Sequence, residues 1–537
     1  MPSFLFPKLL SFCLLFFLLC CQTKQKHQFS DKDVFRYNES SDIKTLDPAF
    51  AKNQAHIWPC KQLYNTLLEL DSDLNIQHSI AKNWNIDSTA TIYTFDIRSD
   101  VNFYLSDNQE SIKLTAEDVL FSLERLRSKT LAAPGSWILA SVKPDGLKMI
   151  DTFRFQIELK APNPSFLSLL TMPYASILCK SAFEDLGEAV YFEQPIGSGP
   201  FYFKFWEDQV KLVLRRNPIY FEKDSLGVQL PYLESIAIQF LPDKQTAFLE
   251  FIKGNLDFIS GIDASYKDEI LDKSGQLKPA YQDEVNLLKQ DYLNTEYLAF
   301  LVDESPFPYN NSDFRKAIHF AFDRELMMKN IRNDIGTAGT NGFIPKGLQA
   351  FEAETSYFDY NVDSAKFYLE RSGYVKKGSP KVKLHTNSSY LDLCEYIQNQ
   401  VNRIGVDLKV VVHPSATLRQ LISKQQVYFF RASWIADYPD AENYLSLFYS
   451  KNFAPNGPNY THFSSTEFDE SYENSRQKPF LTQRIEGYRN QQALMMAQSP
   501  VIPLYYDEVY LFCSPKIQGF SSNPMNLLQL KAVKKRL

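Results

Sequence analysis

Apolar side chains recur along the chain from residue 33 onward, with a period of two in some segments and of about 3.6 in others. Residues 91–98 alternate strictly between the two faces expected of a half-buried strand. Thr115 and Asp118 form a capping-box pattern ahead of an apolar helical stripe, so a helix is predicted to begin there. No linker rich in Gly, Ser or Pro interrupts this patterning, which indicates units packed against one another.

The C-terminal half alternates between predicted helices and predicted strands. One helix is predicted from the spacing of Phe314, Ile318, Phe322 and Leu326, one over residues 391–404 before Gly405, and one over residues 415–425. Strands are predicted over residues 406–412 and 427–435. This alternation is typical of an α/β fold with a largely parallel sheet.

Composition and charge narrow the class of protein. A chain of 537 residues exceeds the roughly 250–300 residues that one core supports, so several units are expected. The hydrophobic fraction of 44% and charged fraction of 22% are those of a folded protein. The net charge is −6, and the basic run Lys531, Lys534, Lys535 and Arg536 is confined to the C-terminus. No nucleic acid is therefore expected as a partner.

The N-terminus predicts export. Lys8 precedes an apolar run over residues 9–19, which is too short for the roughly 20 residues that span a bilayer. The run ends at Cys20 and Cys21 and is followed by polar residues. It resembles a bacterial lipoprotein signal, which implies that residues 1–20 are removed and that Cys21 carries lipid. A retained membrane anchor is the alternative.

The remaining cysteines are Cys60, Cys179, Cys394 and Cys513. They are spaced too widely for a zinc cluster, and a chain of this size does not need disulfides for stability. Buried free thiols are therefore predicted.

Signatures of catalysis and of metal binding are absent from the sequence. It contains no H-E-x-x-H, no G-x-S-x-G and no G-x-x-x-x-G-K-[ST] motif. The seven histidines never fall three or four residues apart, so no helical metal pair is predicted. Gly197 and Gly199 lack a third glycine at dinucleotide spacing and are interpreted as a tight turn. Neither an enzyme nor a cofactor is expected.

One segment, residues 431–440, carries a specific chemical suggestion. It reads Arg-Ala-Ser-Trp-Ile-Ala-Asp-Tyr-Pro-Asp and follows a predicted strand, so its carboxylates lie at an edge where α/β sheets bind ligands. Arg431 and Asp437 stand on either side of Trp434. A zwitterion such as a peptide needs a carboxylate for its amine, a guanidinium for its carboxylate and an aromatic wall. A structural ion pair is the alternative interpretation.

The sequence resembles the extracytoplasmic solute-binding proteins of oligopeptide and dipeptide ABC importers over residues 33–530. The matching stretches are residues 46–48 with 63–68, 80–84 with 93–98, 114–119 with Glu124 and Arg125, 197–200, 216–220, Pro306 with Phe307, 314–318 with Asp323 and Arg324, 433–440 and 502–506.

The resemblance implies an α/β fold of the periplasmic binding protein-like type II class, with two hinged lobes and an inserted subdomain. Lobe I is expected to comprise residues 21–64, 191–293 and 499–537, the subdomain residues 65–190, and lobe II residues 294–498. The chain is expected to cross between lobes near Asn294 and Gln498, with a hinge that closes over ligand.

The resemblance also implies the site. Asp437 would hold the ligand's α-ammonium, Arg431 its carboxylate, and Trp434 would form a pocket wall. The expected ligand-binding residues are Asp437, Arg431, Trp434, Tyr438, Asn53 and Tyr297. Lys52 stands where oligopeptide binders of the family often carry an acidic residue. The disulfide of some members would fall near Asn294 and Ile435 and is absent.

The expected function is that of a periplasmic, lipid-anchored, monomeric receptor that captures a small peptide and delivers it to the permease subunits of an ABC importer. Peptide main chains would supply most of the affinity. Two alternatives share the fold but bind a murein-derived peptide or a non-peptide solute such as a nickel chelate, haem or a sugar. A secreted peptidase or esterase is a further alternative.

Overall fold

The computed structural model describes residues 33–105, 110–191, 194–261, 267–303, 305–478 and 480–536. The predicted signal peptide and the predicted lipidation site Cys21 lie outside the described residues. In the part of the chain that is described, no helix combines the length and apolar character needed to cross a bilayer.

The strands, in chain order, are β1 (Val34–Asn38), β2 (Leu68–Leu70), β3 (Ile76–His78), β4 (Ala81–Ile86), β5 (Ile92–Ile97), β6 (Asn102–Tyr104), β7 (Ser111–Lys113), β8 (Val142–Asp151), β9 (Arg154–Leu159), β10 (Phe201–Glu207), β11 (Lys211–Arg216), β12 (Ser235–Gln239), β13 (Phe258–Ser260), β14 (Asn286–Phe300), β15 (Thr337–Ala338), β16 (Val382–Thr386), β17 (Leu408–Val412), β18 (Phe429–Ile435), β19 (Val501–Cys513), β20 (Ile517–Gln518) and β21 (Lys534–Lys535).

The α-helices are α1 (Gln54–Leu63), α2 (Ala116–Leu126), α3 (Phe166–Leu169), α4 (Lys180–Leu186), α5 (Lys244–Ile252), α6 (Lys267–Ile270), α7 (Ser312–Phe320), α8 (Arg324–Met327), α9 (Val362–Arg371), α10 (Leu391–Arg403), α11 (Ser415–Ser423), α12 (Glu442–Leu445), α13 (Thr466–Arg476) and α14 (Leu481–Gln498). Short 3₁₀ turns cover Pro48–Phe50, Pro134–Leu139, Pro173–Ala175, Gly187–Tyr191, Pro279–Tyr281, Ser388–Tyr390, Ser446–Phe448 and Ser450–Asn452, and a π-turn covers Met328–Arg332.

The main sheet joins two halves of the molecule through a pair of long strands. Its order is β10-β11-β12-β1-β13-β19-β14-β18-β16-β17, with β15 also on β19. The long strands β14 and β19 are antiparallel, and their register shifts between Asp291 and Thr295. The first part of β14 and the last part of β19 belong to one half, while the rest pairs with β18 and β15 in the other.

The expected crossing near Asn294 falls within this register shift. The expected crossing near Gln498 coincides with the end of α14, whereas the shift in β19 lies between Tyr506 and Glu508. The lobe boundaries stay a prediction, but a two-stranded connection between lobes is what this sheet provides.

Each half has its own hydrophobic core, as a two-lobed fold requires. Trp58 and Phe258 lie in one core with residues of the inserted region, whose antiparallel sheet has the order β4-β5-β9-β8. Phe314 and Phe429 lie in a second core, and Tyr444 lies in a third on the same side. The mixed α/β composition and the two lobes agree with the fold class expected from the sequence.

Most local predictions are confirmed. Residues 92–97 form β5, and the Thr115 capping box with Asp118 is present at the start of α2. The predicted elements after residue 390 appear as α10, β17, α11 and β18. Strands β16, β17 and β18 are parallel as expected, but β18 is antiparallel to β14, so the complete sheet is mixed.

One predicted helix is present but shorter than expected. The helix through Phe314 ends at Phe320, because the Asp323 side chain caps a new helix by accepting from the Leu326 amide at 2.9 Å. Leu326 is consequently 42% exposed rather than part of the apolar stripe. Asp323 is a residue type that favours helix N-caps, and it lies inside the apolar pattern. A prediction based on apolar spacing alone did not take it into account.

The four described cysteines, Cys60, Cys179, Cys394 and Cys513, are free and buried, which confirms the expectation.

Gly197 and Gly199 are required by close packing as well as by the turn. The amide of Gly199 donates to the Leu63 carbonyl at 2.9 Å, which ties the end of α1 to the chain entering β10. A Cβ on Gly197 would lie 1.9 Å from the Leu63 carbonyl oxygen. No side chain fits there without movement of backbone.

Gly197→Ala is therefore expected to lower the free energy of unfolding by about 1–3 kcal/mol, the usual range for overpacking. Gly373→Ala is the comparison variant, because nothing lies within 4 Å of its added Cβ and only backbone strain opposes it. Chemical denaturation of both variants measures the difference. Equal losses in the two variants would contradict the role assigned to the Leu63 contact.

Candidate ligand-binding site

Two adjoining cavities lie between the lobes. The smaller has a volume of about 440 Å³ and the larger about 740 Å³, and Gln54, Tyr292 and Asn526 line both. Because they share these walls, the two cavities form the compartments of one cleft. Concave sites of this size are typical of small-molecule binding.

The smaller compartment takes its walls from both lobes. On lobe II, the chain leaves β18 at Ile435, and the Ala436 amide donates to the Leu293 carbonyl at 2.8 Å, so the next residues face the cavity. On lobe I, the wall is the start of α1, where Asn53 caps the helix by accepting from the His56 amide at 3.3 Å. Asn53 lines the cavity as predicted.

Asp437 supplies a carboxylate to this compartment. Its Oδ2 accepts from Asn443 Nδ2 at 3.3 Å, and its amide donates to Asn443 Oδ1 at 3.2 Å. Among the described residues, no lysine, arginine or histidine neutralises it. The Asp437 side chain is exposed to the cleft, but the cavity walls partly desolvate its carboxyl and raise its pKa, with the Asn443 hydrogen bond opposing the shift. The site thus holds an acidic group without a countercharge.

Tyr174 lies near this carboxylate on the lobe I side of the same cavity. Burial raises the pKa of Tyr174 to about 12, and the negative charge of Asp437 adds to the shift. Its phenol therefore stays protonated at neutral pH, so it adds no charge to the compartment.

Asp440, three residues further on, has a different role. Its carboxylate pairs with Arg484 at 2.7 Å, and both side chains are almost completely buried. This ion pair links the turn after β18 to α14, so Asp440 holds the segment in place and is not free to contact a ligand.

Arg431 is not free in this structure. Its guanidinium forms a buried ion pair with Glu296 on β14 and lies over the ring of Tyr390. Tyr390 lines the larger compartment, whereas Arg431 lines neither. The Arg431 charge is therefore satisfied within lobe II, and this conformation supports the structural ion pair that the sequence left open, although with Glu296 rather than with Asp437.

The three predicted aromatic residues are placed differently from one another. Tyr438 lines the smaller compartment, and its hydroxyl donates a hydrogen bond to the Glu442 carboxylate. Its ring centroid lies 6.3 Å from that of Trp137 in the inserted region. Trp434 packs in lobe II and donates its indole N–H to Asn443 Oδ1 at 2.9 Å, which positions the partner of Asp437.

Tyr297 is a core residue in this structure, which corrects its expected place in the cleft. Its side chain is 3% exposed and contacts Phe343 at 4.9 Å between ring centroids. Tyr297 faces the lobe II core, and its neighbour Glu296 on the other face of β14 meets Arg431. Sequence alternation identifies two faces of a strand but not which face meets the cleft.

The larger compartment contains residues that the sequence did not single out. Arg332 lines it, pairs with Asp507 at 2.8 Å and lies over the Tyr505 ring. Lys267 also lines this compartment, and its Nζ donates a hydrogen bond to Asn333 Oδ1 at 3.1 Å. Neither residue belongs to a recognisable motif. They line the same compartment because α6 lies beside the Met328–Arg332 turn, which the sequence does not reveal.

Possible metal ligands do not converge. Across the described ranges, no group of three or more His, Cys, Asp or Glu side chains is arranged to hold a metal ion. His385 and His413 do meet, with 2.8 Å between Nδ1 and Nε2, because β16 and β17 are adjacent strands. Their separation in sequence hid this pair.

Two lobes with separate cores, two connecting strands and a cleft lined from both sides define a solute-binding protein. The chain belongs to the bacterial extracellular solute-binding proteins, family 5, whose middle-region model matches residues 75–456. This match confirms the family resemblance found in the sequence.

Individual relatives agree with this assignment. The chain is 23% identical to the probable D,D-dipeptide-binding periplasmic protein DdpA of Escherichia coli K12, over 93% of each chain. It is 23% identical to the periplasmic oligopeptide-binding protein OppA of Salmonella typhimurium, over 94% of this chain and 93% of the relative. The solved structure of HbpA2 from Haemophilus parasuis superposes with a TM-score of 0.83 at 22% identity, covering 94% of this chain and 100% of that one.

The opposite roles of Asp437 and Asp440 make a matched test. Asp440→Ala is expected to lower the free energy of unfolding by about 3–5 kcal/mol, because it removes one partner of a buried ion pair. Asp437→Ala removes a partly desolvated carboxylate that no cation neutralises among the described residues, and it is expected to leave the free energy of unfolding unchanged or higher. Thermal and urea unfolding check both, and a larger loss for Asp437→Ala would refute this division of roles.

Proposed function

We propose that this protein captures small peptides in the cleft between its lobes and delivers them to the permease of an ABC importer. The single observation that carries the proposal is the uncompensated carboxylate of Asp437 in the smaller compartment. The cavity walls desolvate this carboxylate, which raises the energy of its charged form, and a cation bound beside it would offset that cost. The free amine of a peptide is such a cation, and the two periplasmic relatives are named for binding D,D-dipeptides and oligopeptides.

The compartments suit an extended ligand that begins at Asp437. The smaller compartment has mostly apolar and aromatic walls, whereas the larger is lined by charged groups of both signs, among them Arg332, Asp507 and Glu508. A peptide with its amine at Asp437 would continue past Tyr292 into the larger compartment. There its main chain and far carboxylate would meet polar groups and water.

Closure of the lobes would complete the site. Tyr438 on lobe II already reaches the lobe I side near Trp137, and Asp437 lies near Tyr174. Closing this gap around a ligand removes water and strengthens the ammonium–carboxylate attraction. The permease would then recognise the closed form in preference to the open one. A lipid on Cys21 would hold the protein at the membrane, as expected from the sequence.

The first test asks whether binding needs the free amine. Wild-type protein is expected to bind Ala-Ala-Ala and to bind its N-acetylated form at least about thirtyfold more weakly, because removing one partner of a charge pair enclosed in the complex costs about 2–5 kcal/mol. Asp437→Asn is expected to weaken binding of the free peptide similarly. Calorimetry measures the dissociation constants.

Asp440→Asn is unsuitable as a control since it breaks a buried ion pair. Ile435→Ala, which enlarges the same compartment without removing a polar group, serves as the comparison for cavity volume. Unchanged affinity on acetylation would remove the role assigned to Asp437. Mass spectrometry of the peptides after incubation tests the alternative that the protein is a peptidase. Any cleavage would support that alternative.

The second test uses the raised pKa of Asp437. An ammonium binds the ionised carboxyl, so affinity should fall as pH decreases through the free protein's pKa, which lies above the ordinary value of 3.8. The fall should begin at a higher pH than for an aspartate with the ordinary pKa, and binding should release protons. The folding stability of the unliganded protein should change in the opposite direction. Because the pKa of Asp437 is raised in the folded state, this group's contribution to stability is present at low pH and is lost as pH rises.

Calorimetry of Ala-Ala-Ala between pH 7 and pH 4, in buffers of different ionisation enthalpy, detects the released protons. Asp437→Asn should remove this proton release and its part of the pH dependence. A wild-type affinity that does not change over this range would contradict the assignment.

A further inference from the structure

The compartment that contains Asp437 contains a second charged side chain. Lys52 lies on lobe I, one residue before the cap of α1, and its side chain is exposed to the cavity. Lys52 and Asp437 are the two charged residues among those that line this compartment, one from each lobe. Tyr174 and the apolar and amide side chains make up the remaining walls.

No carboxylate neutralises Lys52 in the part of the chain that the structure describes. Its Nζ forms none of the ion pairs that organise the surrounding surface, and Asp437 is not within ion-pair distance of it. The positive charge acts on its surroundings, because Lys52 lowers the pKa of His56 in addition to the effect of burial. The compartment therefore has two unmatched charges of opposite sign facing one another across the lobes.

A peptide amine satisfies only one of these charges. When the ammonium lies at Asp437, the first residues of an extended ligand pass between the lobe II wall and the lobe I wall, at about 3.3 Å per residue. Successive side chains point to opposite sides, so one of the first two faces lobe I. The apolar walls limit screening by water and make the sign of that side chain matter.

We propose that Lys52 binds an acidic side chain at the first or second residue of the ligand, so that this protein prefers peptides with a carboxylate close to the free amine. The inference rests on the proposed function, since Asp437 must hold the amine for the neighbouring side chain to reach Lys52. Basic side chains at the same place are disfavoured by repulsion, which contributes to specificity as much as the attraction does.

The alternative is that Lys52 and Asp437 pair with each other when the lobes close. In that case Lys52 competes with every ligand amine, and its removal strengthens binding of all peptides equally. The two arrangements therefore predict opposite results for the same substitution.

Isosteric peptide pairs test the proposal without changing ligand shape. Glu-Ala-Ala is compared with Gln-Ala-Ala, and Ala-Glu-Ala with Ala-Gln-Ala, by calorimetry at pH 7 and low salt. In at least one pair the acidic peptide is expected to bind about fivefold more tightly, the upper end for an exposed ion pair. The difference should shrink at high salt.

Variants of Lys52 assign that difference to its charge. Lys52→Gln should abolish the preference for Glu over Gln, and Lys52→Glu should reverse it in favour of Lys-Ala-Ala. Lys82→Gln is the matched control, because Lys82 is an exposed lysine on β4 that lines neither compartment, and it should leave the preference intact.

The failures of the two proposals are distinguishable. If Lys52→Gln retains the acidic preference, or tightens all peptides equally, the role of Lys52 is overturned while the need for a free amine stands. If acetylated and free peptides bind alike, the proposed function fails, and this inference fails with it.

Discussion

The account depends on one electrostatic constraint, the position of the Asp437 carboxylate in the cleft. The cavity walls partly desolvate it, and among the described residues it has an amide hydrogen-bond partner but no countercharge. Charges removed from water are unfavourable unless a countercharge or several hydrogen bonds compensate them. The rest of lobe II keeps this group in place. Trp434 and the Asp437 amide both donate to Asn443, and the Asp440–Arg484 pair fixes the following turn to α14. The protein thus maintains an unfavourable group at a defined position, where a cationic ligand end lowers its energy.

The charged side chains discussed above fall into two groups. They differ in whether an opposite charge of the same lobe neutralises them, and not in residue type. Arg125 with Asp47 and Arg431 with Glu296 are neutralised inside a lobe and tie elements of that lobe together. Asp437 and Lys52 face the gap between lobes, and neither has an oppositely charged partner among the residues that the structure describes. Only the charges of the second group are placed to form a favourable electrostatic interaction with a ligand. A conformation that opened the Arg431–Glu296 pair would add a guanidinium to the larger compartment, next to Tyr390.

The sequence predicted the fold better than it predicted the site. Local periodicity and caps located β5, α2 and α10, because these depend on neighbours within a few residues. The segment around Asp437 was also found, since one short stretch carries both the strand end and the carboxylate. Arg431 could not be assigned a partner, because Glu296 is 135 residues away and meets it only through the antiparallel register of β14 and β18. Tyr297 was misplaced for a related reason, since the face of β14 that meets the core is decided by tertiary packing.

A crystal structure of the protein with a bound tripeptide measures the central claim most directly. The account predicts that the ligand's ammonium nitrogen lies within about 3 Å of an Asp437 carboxylate oxygen, with the peptide enclosed by both lobes. An ammonium held elsewhere, or a ligand outside the gap with Asp437 still unpaired, would contradict it.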